Sequence, residues 1–239
     1  MGTFVGHVVP GSFFVLFGTW WAVQIFRRYY RCMQKKDKFT SSVSFDWKAE
    51  NIVTYPVEDV LKIVGAFLGT AGEVYTGFVD PKGFPLANGQ HITMYFFFGM
   101  SAIIDIIVMK TKLPRELHLD YVTFLMAFLI EFLLFKFHLH GRVRLDVQVH
   151  QLLIIAIFGN FICVLIEACY RHFALAALGR SYFAILQGSW FIQLGFILYN
   201  PVPDAAKWDD DNEGQLDQIV TLFMWHCIAV FLGMLLIGP

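Results

Sequence analysis

The sequence predicts an all-α, polytopic membrane protein, a single seven-helix transmembrane bundle over residues 1–239, with the N-terminus lumenal or extracellular and the C-terminus cytosolic. Three observations carry this. First, 57% of the 239 residues are hydrophobic and only 15% are charged, and the mean hydropathy is +0.58. A soluble domain carries about 25% charged residues, so this chain has too little polar surface to face water on all sides. Second, seven apolar runs approach the ~20 residues that cross a bilayer core. Third, the basic residues gather in alternate loops.

The first run, approximately 7–26, lacks a basic leader and is followed directly by Arg27, Arg28 and Arg31 without a small-residue cleavage site. It reads as a retained helix, not a signal peptide. Gly6 stands where a myristoylation signal needs Ser or Thr, so Gly2 is not such a site. The second run, 57–78, contains Gly65, Gly69 and Gly72, a small-residue face suited to close helix approach. The third, fourth and fifth span about 91–109, 119–138 and 145–168, and the sixth covers 177–199. An acidic stretch, Asp204 to Asp217, precedes the seventh, 217–237; it reads as a solvated turn, because it lacks the ligand spacing of an EF-hand loop.

Loops after the odd-numbered runs, with Lys62 and Arg180 at the adjoining helix ends, hold thirteen of the eighteen Lys and Arg. That bias places them in the cytosol and fixes the orientation. No lumenal loop contains a cysteine, so no disulfide is expected from Cys32, Cys163, Cys169 or Cys227. A formal net charge of −1 and the lack of a P-loop or dinucleotide fingerprint argue against nucleic-acid and nucleotide chemistry. The expected partner is the lipid bilayer.

Ionisable groups inside hydrocarbon are costly and by default face a bundle interior. Here they recur in phase. Glu131 and His138 share one helical face, as do Asp146, His150, Asn160 and Glu167, and so do His91, Tyr95 and Asp105. They also recur in depth. His7, His91, His138 and His150 fall near the lumenal helix ends, with Glu73, Glu131, Gln193 and His226 one to three turns further in. All seven helices contribute to one polar layer in the outer half of the membrane.

Several blocks are familiar. Gly6-His7-Val8-Val9-Pro10-Gly11, Trp20-Trp21, Ala71-Gly72-Glu73, the run His91 to Gly99, the block Glu131 to His150, the run Leu186 to Phe196 and Trp225-His226 together resemble the transmembrane protein 45 family, which includes the transmembrane epididymal protein. The resemblance covers nearly the whole chain. It implies a multi-pass protein of the secretory pathway, in Golgi, endosomal or plasma membrane. The chain departs from the pattern at Gln90, where a second histidine is expected before His91, and in ending at Pro239 without a cytosolic tail.

Histidine with carboxylate is an ordinary ligand set for zinc, and ligands of this kind come from several elements meeting at a point. The expected metal ligands are His91, His138, His150 and His226, with Glu73 or Glu131 completing the site or acting as general base. Asp146, one turn from His150, would orient that imidazole, with His7, Gln187 and Gln193 in support. His138 and His140 cannot both point inward from one helix, and His138 shares the Glu131 face. With an open coordination position, zinc-bound water would suit hydrolysis of a lipid ester or amide. Other readings stay open. The same groups would serve a proton or metal transporter, with Asp105, Asn160 and Glu167 extending the polar stripe. They would also serve a non-catalytic scaffold or receptor, in which Arg142 pairs with Asp146, Glu167 with Arg171 and Asp105 with Lys110.

Overall fold

The computed structural model describes residues 2–45, 47–49, 53–111, 118–139 and 141–238. Each apolar run forms a helix among them: α1 (Phe4–Lys35), α2 (Val57–Val79), α3 (Leu86–Lys110), α4 (Leu119–Phe137), α5 (Arg144–Cys169), α6 (Ala174–Tyr199) and α7 (Glu213–Ile237). Between α1 and α2 lies a small antiparallel hairpin, β1 (Trp47–Ala49) with β2 (Val53–Tyr55), in register Trp47 to Tyr55. It departs from a purely helical expectation, and its Trp, Val, Thr and Tyr residues suit a strand.

Successive helices run in opposite directions. One end of the bundle, here the near end, gathers the starts of α1, α3, α5 and α7. There Gly2 abuts Tyr199, His138 contacts Gln90 and Arg144 meets Glu213. At the far end Gly238 lies against Phe26.

Helix α1 begins where the Thr3 hydroxyl accepts the Gly6 amide at 3.0 Å, an N-cap that satisfies an otherwise orphaned donor. It outruns the expected 7–26 because its last turns are basic and polar, Arg27 to Lys35, and need no hydrocarbon around them. At 1.5 Å per residue its 32 residues reach about 48 Å, beyond a ~30 Å bilayer core.

The central pair is α1 with α6. A Cβ on Gly11 would stand 2.7 Å from the Gly188 carbonyl oxygen, and one on Gly188 would stand 2.6 Å from the Val15 amide nitrogen. Gly18 likewise faces Ala184 and Ile185. Small residues here let two backbones touch. The glycines of α2 do something else. Gly69 and Gly65 make room for the rings of Tyr95 and Phe13, and Gly72 meets nothing within 4 Å, so that stripe receives aromatic side chains and not a helix backbone.

Five helices, α1, α3, α5, α6 and α7, are long and apolar enough to cross a membrane. The other two are set apart by their charges: α2 carries Glu58, Asp59, Lys62 and Glu73, and α4, though apolar, carries Asp120, Glu131 and Lys136 within a single membrane-length stretch. The outer surface is itself apolar: Phe67, Phe78, Leu86 and Leu236 are 70%, 78%, 79% and 86% exposed. A surface of this kind belongs in lipid. The interior holds two apolar clusters. One surrounds Trp190, Leu153 and Phe223 toward the near end, and the other surrounds Trp21, Phe124 and Phe128 toward the far end.

Candidate functional site

Between these helices at the near end lies a cavity of about 90 Å³, lined on its polar side by His7, Glu73, His91, Tyr95, Glu131, His138, Arg142, His150 and Tyr199. Phe14, Met94, Phe98, Phe135 and Phe191 supply its apolar wall. Space for a water needs roughly 10–15 Å³ by this measure, so the cavity has room for an ion with part of its hydration shell.

The imidazoles are held alike. His7 Nδ1 lies 2.8 Å from the Thr3 carbonyl oxygen, His91 Nδ1 2.9 Å from Glu73 Oε1 and His138 Nδ1 2.7 Å from Gln90 Oε1. His150 Nδ1 lies 2.8 Å from the Asp146 carbonyl oxygen and 2.7 Å from Asp146 Oδ1. An oxygen acceptor at Nδ1 draws the proton there and leaves a lone pair on Nε2, as in imidazoles that ligate metals. Three of these Nε2 atoms, on His7, His91 and His150, have no hydrogen-bond partner among the described residues. The fourth, on His138, accepts from the Arg142 guanidinium.

Arg142 also donates to Asp146 Oδ2 at 2.8 Å and to the His138 carbonyl oxygen at 3.2 Å. Glu131, 2% exposed, accepts from Gln187 Nε2 at 2.8 Å, while its second oxygen has no partner. Glu73 and Asp146 thus set two acidic groups against one permanent cation, Arg142, an imbalance that favours a further cation; Glu131 is too deeply buried to be counted as a charge.

Two imidazole pairs face one another. The ring centroids of His91 and His138 are 5.8 Å apart, and those of His7 and His150 are 6.1 Å apart. Two imidazoles sharing a zinc ion, with Zn–N bonds of ~2.0–2.1 Å, stand roughly 5 Å apart by centroid, so each pair is about 1 Å too open. Among the described residues, no group of three or more His, Cys, Asp or Glu side chains stands close enough together to hold a metal ion.

Of the sequence-derived candidates, His7, Glu73, His91, Glu131, His138 and His150 all line the cavity, with Asp146 and Gln187 bonded to members of it. His226 does not join them. It lies 3.1 Å from the Ser189 hydroxyl with its ring against Trp190, on the α7 side of α6. Gln193 does not line the cavity either. His140 lies outside the described residues.

Below Glu131 the polar thread continues through Gln187 to Asn160 at 3.2 Å. With its nitrogen turned the other way, the Asn160 amide meets the Arg180 carbonyl oxygen at 2.9 Å. Glu167 pairs with Arg180, not with Arg171: Arg180 Nε lies 2.8 Å from Glu167 Oε2, both side chains are fully buried, and Tyr121 donates to Glu167 at 3.0 Å. Asp105 faces Lys62 of α2 at 3.8 Å, not Lys110. Each ion pair forms across helices because the cation on the same helix lies at or beyond its end. Arg142 and Asp146 do pair, as expected.

Sequence reasoning missed a strap, residues 37–45, that runs non-helically into the far end. Phe39, Ser41, Val43 and Phe45 are buried, and this period-two alternation was the available signal. Five consecutive carbonyls accept from side chains: Phe39 from His172, Thr40 from Arg28, Ser41 from Arg171, and Ser42 and Val43 from Arg180. Glu58 accepts from Trp20, Trp21 and the Phe45 amide at 3.0, 2.7 and 2.9 Å, and pairs with Lys62 at 2.7 Å.

Fold and cavity define a multi-pass α-helical membrane protein with a polar, histidine-lined chamber inside its bundle. The chain belongs to the family described as a family of unknown function (DUF716), which matches residues 118–237, half its length. That stretch runs from α4 to the end of α7 and includes Glu131, His138, Arg142 and His150, while His7, Glu73 and His91 precede it. Transmembrane epididymal protein 1A of Mus musculus is 26% identical over 253 residues, covering 98% of this chain and 79% of the relative. Transmembrane epididymal protein 1 of Rattus norvegicus is 24% identical over 245 residues with the same coverage, and that of Homo sapiens is 26% identical over 167 residues, 70% of this chain and 59% of the relative.

Proposed function

We propose that the near-end cavity is a cation site and that zinc is the ion it suits, in a seven-span protein of the secretory pathway related to the transmembrane protein 45 proteins. The near end is lumenal in this reading, which rests on the basic bias of the far-end loops. The observation that carries the proposal is the shared tethering of the four imidazoles, each with Nδ1 on an oxygen acceptor. That arrangement fixes the tautomer and keeps Nε2 for a ligand. Two acidic groups, Glu73 and Asp146, against one guanidinium supply the electrostatic bias. Closing either histidine pair by about 1 Å is within the reach of side-chain rotation and helix adjustment. His91, His138, His150 and His7 are the ligand set, with Glu131 or Glu73 as the oxygen donor; His226 takes no part.

The test is elemental analysis of protein purified without chelator. About one equivalent of zinc is expected for a single site, reduced in His91→Ala and His150→Ala and retained in His226→Ala. Less than about one tenth of an equivalent, together with no rise in melting temperature on adding zinc, overturns the proposal.

A hydrolytic use of the same site has one observation in its favour: Glu131, the candidate general base, lines the cavity and keeps one oxygen unpartnered. Zinc-dependent cleavage of a lipid amide or ester in detergent micelles, lost in Glu131→Gln while zinc stays bound, is its expected signature; no turnover by zinc-loaded protein removes it.

A further inference from the structure

The cavity already contains a cation. Arg142 lies on the link between α4 and α5, just after Gly141, whose φ of +76° allows a sharp bend there. Its guanidinium reaches inward to the cavity wall. One arm donates to His138 Nε2 and another to Asp146 Oδ2 at 2.8 Å, and the Asp146 carbonyl oxygen in turn holds His150 Nδ1 at 2.8 Å. Arg142 is thus bonded to one histidine pair through His138 and to the other through Asp146 and His150.

We infer that Arg142 is a resident counter-ion that occupies the cation seat and must swing away for a divalent transition metal to bind, so that it regulates the site proposed above. The inference rests on that proposal. Three observations lead to it. The guanidinium takes the one imidazole lone pair that is otherwise free to complete a pair with His91. It neutralises Asp146, one of the two acidic groups that would attract the metal. It also bonds to His138 and Asp146 while the two imidazole pairs stand 5.8 and 6.1 Å apart, too open for shared coordination.

Exchange is electrostatically balanced, because a dication replaces a monocation in a chamber with an acidic surplus. Arg142 itself is not stranded. It lies in the α4–α5 link at the near end, where a rotated side chain extends into water, and its partner Asp146 keeps the imidazole of His150. His138, released, retains its tether to Gln90 and turns a fixed lone pair toward His91.

Zinc titration of full-length protein in detergent, read by calorimetry, tests this with wild type, Arg142→Gln, Arg142→Lys and His138→Ala. Arg142→Gln should bind zinc at least about tenfold more tightly than wild type, a difference of one decade in Kd. Arg142→Lys, which keeps the charge and loses the planar fork that spans His138 and Asp146, should fall between them. In His138→Ala the removal of Arg142 should give no such gain, which a double variant reads directly. Each variant's metal-free melting temperature serves as the control for folding. Equal affinity in wild type and folded Arg142→Gln, or weaker binding by the latter, overturns the displacement while leaving the cation site in place. No zinc binding by any variant overturns the cation site itself.

Discussion

At the scale of single residues, the far end shows how a charge is made tolerable in lipid. Arg180 donates to Glu167, to Ser42 and to Val43, and its guanidinium lies 4.6 Å from the Trp21 ring centroid. Removing one member of a buried, hydrogen-bonded pair leaves the other uncompensated, so Arg180→Met should destabilise the protein by about 3–5 kcal/mol. The double variant Arg180→Met with Glu167→Gln should recover part of that loss. Thermal unfolding in detergent measures both, and a single variant within about 1 kcal/mol of wild type would show that the pair does not hold the far end. This arginine was visible in the sequence as a basic residue in an apolar helix, but it was counted among the charges that orient the chain. The histidines fared better, because depth along a helix follows from residue number. His226 marks the limit: depth and phase place it on a level and a face, yet only the packing of α7 outside α6 decides that this face meets Ser189 and Trp190.

At the scale of elements, the helices were legible because each is an apolar run of bilayer length, and most ends moved by only a few residues. Pairing was not legible. The tight crossing of α1 on α6 depends on Gly11 and Gly188, whereas the more conspicuous glycines of α2 receive rings. Gly188→Ala puts a methyl 2.5 Å from the Gly11 carbonyl oxygen, and overpacking of that kind costs about 1–3 kcal/mol. Gly72→Ala meets nothing within 4 Å and should gain up to about 1 kcal/mol from helix propensity. Melting temperatures of the two variants should therefore move in opposite directions. A neutral Gly188→Ala would mean that the two backbones are further apart than they stand here. The strap escaped notice for a different reason: its alternation spans only seven residues, and its carbonyls are satisfied by four side chains from three other parts of the chain.

At the scale of the whole molecule, two polar regions sit at opposite ends of a lipid-facing bundle, a chamber at the near end and a network of ion pairs under the strap at the far end. Which compartment each faces is open to direct measurement. An Asn-x-Thr acceptor built into the loop at 203–212 should be glycosylated in cells, and one built beside Lys38 should not. The reverse pattern would invert the orientation and put the cavity in the cytosol. The two ends also differ in when they can form. Every partner of Glu58 described above lies between Trp20 and Lys62, so that knot needs only the first quarter of the chain and can close while the rest is still being synthesised. Arg180 must wait, because it joins Ser42 and Val43 to Glu167 from a distance of 137 residues or more in the case of the strap. The strap is therefore fastened at one edge early and at the other late. The ribosome and translocon hand over a half-tied bundle, and the arginine of α6 completes it.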